Sequence, residues 1–201
     1  MATMMMAPPA ALAPLPRPVY WTAEEFHALW DSGFLRGTRR VILVDGEMIE
    51  MPQPDPKHDM GLTATNEFLR SAFAVGHYVR NQQGFNAGRD TDPGPDLAVV
   101  VGTFRDYPTH PRTAVLIVEV ANTSLAYDRR EKAHLYAAAG VPEYWVLDVI
   151  GRQLLVFRDP VADPTAPRGH RYATALTLAP PGTVSPLAAA QAIIAVADLL
   201  P

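Results

Sequence analysis

Three charged residues stand where charge is costly, and their order along the chain suits a metal site beside a cation. Glu119 closes the apolar run Val115-Leu116-Ile117-Val118 and is followed by Val120. Side chains alternate along a strand, so Glu119 shares a face with Val115 and Ile117 and points where core residues point. Burying a lone carboxylate is strongly unfavourable unless a metal, a cation or hydrogen bonds offset it. Asp96 opens a second apolar run, Leu97-Ala98-Val99-Val100-Val101, after Pro95, which favours an extended entry. Two carboxylates at the ends of neighbouring buried strands form an oxygen site for a hard cation. Lys132 is the third residue. On a helix over 127–139, Asp128, Lys132, Leu135, Tyr136 and Ala139 form one stripe, opposite the solvated Arg129, Arg130 and Glu131. An ammonium aimed inward is neutralised by the glutamate one element earlier or by bound phosphate. Each residue also has a plainer reading: an i,i+4 surface pair for Asp128 and Lys132, a solvated strand end for Glu119, a turn residue for Asp96. Taken together, in this order, they favour the site.

The elements that must position these residues are legible from pattern. Thr22 and Glu25 form a capping box ahead of a helix carrying Phe26, Leu29 and Trp30, which Gly33 can end. Val41 to Val44 and Glu47 to Met51 read as a hairpin about Asp45-Gly46. A helix follows over about 57–76, with Leu62, Thr65, Leu69, Ala72 and Phe73 on one face. A strand over 78–82 leads into a Gly-rich loop over 84–94. The runs 97–101 and 114–118 are apolar at every position, which predicts strands covered on both faces. After the helix of Lys132, stopped by Gly140, come a hairpin of 143–148 and 153–158 about Gly151, a Pro-rich tail, a strand near 172–178 and an apolar close over 192–200. This order predicts a mixed α/β core with helices packed on a central sheet.

Composition bounds the rest. The chain has 201 residues, 48% hydrophobic and 19% charged, the balance of a soluble globular protein. We expect a short N-terminal arm over 1–18, rich in Met, Ala and Pro, and one domain over 19–201. Prolines at 8, 9, 14 and 16 break any secretory signal, and no segment is apolar enough to span a membrane, so the cytoplasm is expected. There is no cysteine, which excludes disulfides, thiolate catalysis and Cys-based zinc sites. A net charge of −4 argues against holding nucleic acid by bulk charge, although a local basic groove is compatible with it. No Walker loop, dinucleotide-binding glycine pattern or G-x-S-x-G elbow is present.

Pro95-Asp96, Val118-Glu119-Val120, Asp128, Lys132, Tyr136, Gly140-Val141-Pro142-Glu143-Tyr144-Trp145 and Asp148 together resemble the Uma2 family of endonucleases. Val44-Asp45-Gly46-Glu47, Met51-Pro52 and His58 resemble it upstream, so the likeness covers about residues 20 to 158. The family lies within the PD-(D/E)xK nuclease superfamily. The resemblance implies a restriction-endonuclease-like core, mixed α+β with a central mixed β-sheet flanked by helices, a divalent metal and phosphodiester hydrolysis. The superfamily places lysine two residues after the acidic residue, where this chain has Ala121. In the Uma2 pattern that role passes to the following helix, and so to Lys132.

The resemblance thus implies a metal-dependent endodeoxyribonuclease acting on DNA. Asp96 and Glu119 hold Mg²⁺ or Mn²⁺ with the main-chain carbonyl of Val120, and Lys132 assists the attacking water. Glu47 is a further candidate for the metal site, or else a hairpin-end carboxylate in water. His58 is a candidate for phosphate contact or proton transfer, or else a capping or packing histidine. Tyr136, Tyr144 and Trp145 are assigned to packing. Arg129 and Arg130 are candidates for nucleic-acid contact, whereas Arg36, Arg39 and Arg40 read as a solvated face. A homodimer is compatible with the hairpin and arm. The rival function is a catalytically silent regulatory or DNA-associated module on the same fold, and a hydrolase of small phosphate esters would need a closed pocket.

Overall fold

A computed structural model describes residues 17–35 and 40–201. Most of the expected arm, together with Arg36 and Arg39, lies outside the described residues. Helix α1 (Ala23–Asp31) begins at the expected capping box: Thr22 accepts the Glu25 amide, and the Glu25 carboxylate accepts the Thr22 N–H. Strands β1 (Arg40–Val44) and β2 (Glu47–Met51) form the expected hairpin. Its turn residues take positive φ, 52° at Asp45 and 78° at Gly46, which is what an Asp-Gly turn supplies.

Helix α2 (Pro56–Ala72) starts on Asp55, whose side chain accepts the amides of Lys57 and His58, and Pro56 sits where its missing N–H is harmless. Strands β3 (His77–Asn81), β4 (Leu97–Val101), β5 (Leu116–Ala121), β6 (Glu143–Asp148), β7 (Gln153–Ala162) and β8 (His170–Leu178) make one sheet in that spatial order. All neighbours are antiparallel except β5 and β6, which run parallel. A parallel pair needs a crossover, and here a composite helix supplies it: α3 (Leu125–Tyr127), a π-helical turn (Asp128–Lys132) and α4 (Ala133–Ala138). The C-terminal segment closes with β9 (Thr183–Val184), β10 (Ile194–Ala195) and α5 (Val196–Leu199).

The sheet is covered on both faces, as its continuous apolar runs imply. Leu97, Val99, Leu116, Val118 and Val120 pack with Leu62, Leu69 and Leu199, the layer of α2 and α5. Ala98, Val100, Ile117 and Ala121 pack on the other face with Leu135, Tyr136 and the hairpin residues Ile42 and Met51. Glu119 alternates with Ile117 and Ala121, so it faces the layer of α4 and the hairpin. Every residue of β5 and β6 is buried. Among the described residues no helix is long and apolar enough to cross a membrane.

Candidate active site

The π-helical turn sets the site. It widens the crossover helix across Asp128–Lys132, and both residues are buried, as are Leu135 and Tyr136 below them. The expected stripe is therefore present, carried by a turn that the sequence pattern did not suggest. Lys132 Nζ lies 2.8 Å from Glu119 Oε1 and 3.6 Å from Asp128 Oδ1, with Lys132 and Glu119 each 1% exposed. Tyr136 donates its hydroxyl to the same Glu119 oxygen at 2.7 Å. Tyr136 packs in the core as expected, and its hydroxyl adds a bond to the candidate site. Tyr144 and Trp145 are buried, and they hydrogen-bond the Asp128 carbonyl and the Glu143 carboxylate respectively.

Asp96 sits one residue before β4 and is 2% exposed. Its Oδ2 accepts the Val120 amide at 2.9 Å and His58 Nε2 at 3.2 Å, and its Oδ1 accepts Arg40 Nη2 at 2.8 Å. The Val120 amide ties the two candidate carboxylates together through β5, because it follows Glu119 directly. Arg40 does not belong to a solvated face. It begins β1, and its guanidinium turns inward to the buried Asp96, so the ion pair outweighs solvation. No feature of the local sequence sets Arg40 apart from Arg39, whereas Tyr136 shares a stripe with Lys132 and could have been read from it.

Electrostatics follow from this crowding. Burial pushes the Glu119 carboxyl up to about 8; Lys132 opposes the shift, and Asp96 and Asp128 add to it. Burial works against the Lys132 ammonium, but Glu119, Asp128 and Asp96 outweigh it and hold the lysine above its ordinary value. Burial raises Asp96, yet His58, Arg40 and Lys132 overcome that and hold it well below the usual carboxylate range. His58 is raised: burial favours its neutral form, and the Asp96 carboxylate outweighs burial.

A cavity of about 250 Å³ lies beside this cluster; its lining includes Arg40, Asp55, His58, Val120, Asn122 and Ser124, but not the buried Asp96, Glu119 or Lys132. Asn122 hydrogen-bonds the Asp55 carboxylate, which holds the start of α2, and with it His58, against the end of β5. Ser124 donates to Asp128 Oδ2 at 2.5 Å. Glu47 is exposed at the turn end of the hairpin, opposite Val44, whereas Arg40 at the other end reaches Asp96. Arg129 and Arg130 are exposed on the outer side of the π-helical turn.

A divalent cation fits the donor set. Both bonds to Glu119 fall on Oε1, and no hydrogen bond reaches Oε2 among the described residues. Asp96 uses three of its roughly four acceptor positions, so Oδ1 keeps one. The buried, raised Glu119 carboxyl is the kind of group that a cation relieves. The contact shown for Val120 is its amide N–H.

The site is thus a pair of buried carboxylates at two adjacent strands of a mixed six-stranded sheet flanked by helices. The crystal structure of a putative nuclease belonging to DUF820 from Anabaena variabilis superposes with a TM-score of 0.63, at 16% identity, over 84% of this chain and 95% of that one. At that identity the likeness shows the fold. The Uma2 family, described as "Putative restriction endonuclease", matches residues 23–195, and the chain belongs to that family. No curated protein matches the chain.

Proposed function

We propose that the protein is a metal-dependent endonuclease that hydrolyses phosphodiester bonds of DNA at the Asp96–Glu119–Lys132 cluster. The observation that carries this reading is the burial of Lys132 against Glu119, one strand from the equally buried Asp96, whose partners Arg40, His58 and Val120 line a cavity. A structural role alone gives little reason to bury so many charges, because well-packed apolar residues stabilise a core at least as well.

Asp96 and Glu119 would hold Mg²⁺ or Mn²⁺, with the Val120 carbonyl as a third donor. The cation, when bound, supplies a lowered pKa for coordinated water and positive charge beside the phosphate. The protein's own groups supply the rest. Tyr136 and Lys132 fix the rotamer of Glu119 by sharing its Oε1. Lys132 Nζ brings positive charge to the cluster and stabilises charge that develops on the phosphate as water adds and the alkoxide leaves. Arg40 and His58 both line the cavity and hold Asp96; Arg40 adds a positive group beside an incoming phosphate, and His58 adds a hydrogen-bonding imidazole. Arg129 and Arg130 would contact flanking phosphates.

A second reading has one observation in its favour. The Arg40 guanidinium already stands on Asp96 Oδ1 and satisfies it without a metal. On this reading the chain is a catalytically silent regulatory or DNA-associated module. Calorimetric titration of Mg²⁺ and Mn²⁺ into the wild type, Asp96→Asn and Glu119→Gln, beside a plasmid-nicking assay, separates the two. The nuclease reading expects binding and nicking in the wild type and loss of both in each variant. Binding without nicking of any DNA substrate would move the function to the silent module. Absence of binding would refute the metal site.

A further inference from the structure

A second cluster of metal-ligating side chains lies apart from this site. His27 is on α1, Asp92 is in the loop between β3 and β4, and His110 is in the loop between β4 and β5. Asp92 Oδ2 lies 2.7 Å from His27 Nε2 and 2.8 Å from His110 Nδ1, and the two rings are 4.4 Å apart at their centroids. The other Asp92 oxygen accepts the amides of Phe85 at 3.0 Å and Gly94 at 3.2 Å. The carboxylate is thus braced by main chain, with its second oxygen presented to both imidazoles. The cluster lines a cavity of about 660 Å³, whose wall also includes Arg40, the residue that reaches Asp96.

Gly84 makes the arrangement possible. A Cβ at that position would stand 2.0 Å from the His110 ring and 2.7 Å from Asp92 Oδ2. No side chain fits there unless the cluster opens.

We propose that His27 Nε2, Asp92 Oδ2 and His110 Nδ1 form a binding site for a divalent transition-metal ion of zinc-like character, with its remaining coordination positions open to the cavity. Two imidazoles and one carboxylate suit such an ion and not Mg²⁺, which selects oxygen ligands. Ligand atoms about 2.1 Å from a metal and at a tetrahedral angle to each other stand about 3.4 Å apart. The observed 2.7 and 2.8 Å therefore have to widen by about 0.6–0.7 Å, a movement within reach of two partly exposed imidazoles. The histidine side chains are 31% and 37% exposed, so an ion can enter from the cavity. The two main-chain N–H groups on Asp92 are the outer hydrogen bonds that orient a ligating carboxylate. The site is independent of the nuclease reading, because none of its three ligands touches Asp96, Glu119 or Lys132.

Zinc titration by calorimetry on the full chain, in a large excess of Mg²⁺, tests the site. The wild type should bind one Zn²⁺ that Mg²⁺ does not displace. His110→Gln should weaken that binding by about a hundredfold, and Glu119→Gln should leave it unchanged. Gly84→Ala retains all three ligands and should still weaken binding by about tenfold or more, because the methyl group displaces the His110 ring. His110 is partly exposed and Gln can keep donating to Asp92, so the variant should melt close to the wild type without metal; His27→Gln gives the same reading from the other side. No zinc uptake by the wild type, or uptake that His110→Gln and His27→Gln leave intact, would reduce the cluster to a hydrogen-bonded clamp that ties α1 to the two loops.

Discussion

Replacing Lys132 by Met keeps the length of the side chain and removes its charge from a closed environment. Nζ stands 2.8 Å from Glu119, and at an effective dielectric of about 20 that separation corresponds to an attraction of about 6 kcal/mol. Dehydration of the ammonium offsets part of it, and breaking a buried pair from one side leaves a net loss of about 3–5 kcal/mol. The loss should be largest at pH 9, where Glu119, held up to about 8, is ionised and Lys132 is still charged. At pH 6 Glu119 carries a proton, and only Asp128 and Asp96 lose their counter-charge, so the loss should shrink. For a chain of this length each kcal/mol moves the melting temperature by about 2–4 °C, so the pH 9 fall is about 6–20 °C. Urea unfolding followed by far-UV circular dichroism reads the free energy directly. Adding Glu119→Gln removes the orphaned carboxylate and should recover about 1–3 kcal/mol at pH 9. Strict additivity of the two substitutions, or a Lys132→Met loss below about 1 kcal/mol at pH 9, would refute the buried ion pair and, with it, the basis for placing Lys132 in the chemistry.

Arg40→Gln removes the guanidinium that competes for Asp96 Oδ1. Mg²⁺ affinity should rise by about three- to tenfold in calorimetry, while DNA affinity by fluorescence anisotropy should drop and its salt dependence should lose about one unit of slope. A fall in Mg²⁺ affinity would instead make Arg40 a support of the metal site. The metal-free protein should lose stability as pH rises from about 5 to about 8, by at most about 1.4 kcal/mol per pH unit for each group. Over that range the folded state keeps a proton on Glu119 that the unfolded chain releases, so folding binds protons. His58 acts in the same direction: its contribution is complete below its ordinary value of 6.5 and is lost as pH climbs through the raised one. Asp96 acts in the opposite direction, and its contribution is lost as pH falls below 3.8 toward its depressed value. Urea midpoints at pH 5, 6.5 and 8 in the presence of chelator check the sign, and a flat or rising profile contradicts it.

Much of the fold was legible because the forces that shape it are local or periodic. Thr22-x-x-Glu25 caps α1 through contacts three residues apart, and Asp45-Gly46 turns the first hairpin through its own backbone preference. The uninterrupted apolar runs of β4 and β5 could satisfy both faces only inside a two-layer cover, which is where they lie. Glu119 and Lys132 stood out for the same reason: each interrupts a pattern that otherwise specifies burial, so a partner had to exist. Boundaries shifted where hydrogen bonding and not hydropathy sets the end; β5 runs to Ala121, three residues beyond the apolar stretch and past Glu119 itself.

The partners themselves were decided by tertiary structure. Arg40 and Asp96 are 56 positions apart, and nothing near either residue encodes the meeting. It depends on how the hairpin lies against the sheet. The π-helical turn at Asp128–Lys132 likewise has no local signature, since Asp-Arg-Arg-Glu-Lys fits an ordinary helix; its wider turn matches a crossover that buries both charges over β5. His27, Asp92 and His110 come from three segments, and a long-range convergence of this kind leaves no spacing to read. The sequence by itself determined which elements form and which charges must be compensated, because propensity and burial patterns act within a few residues. Only the tertiary structure decided which groups compensate them, because ion pairs and shared carboxylates are set by how distant elements pack.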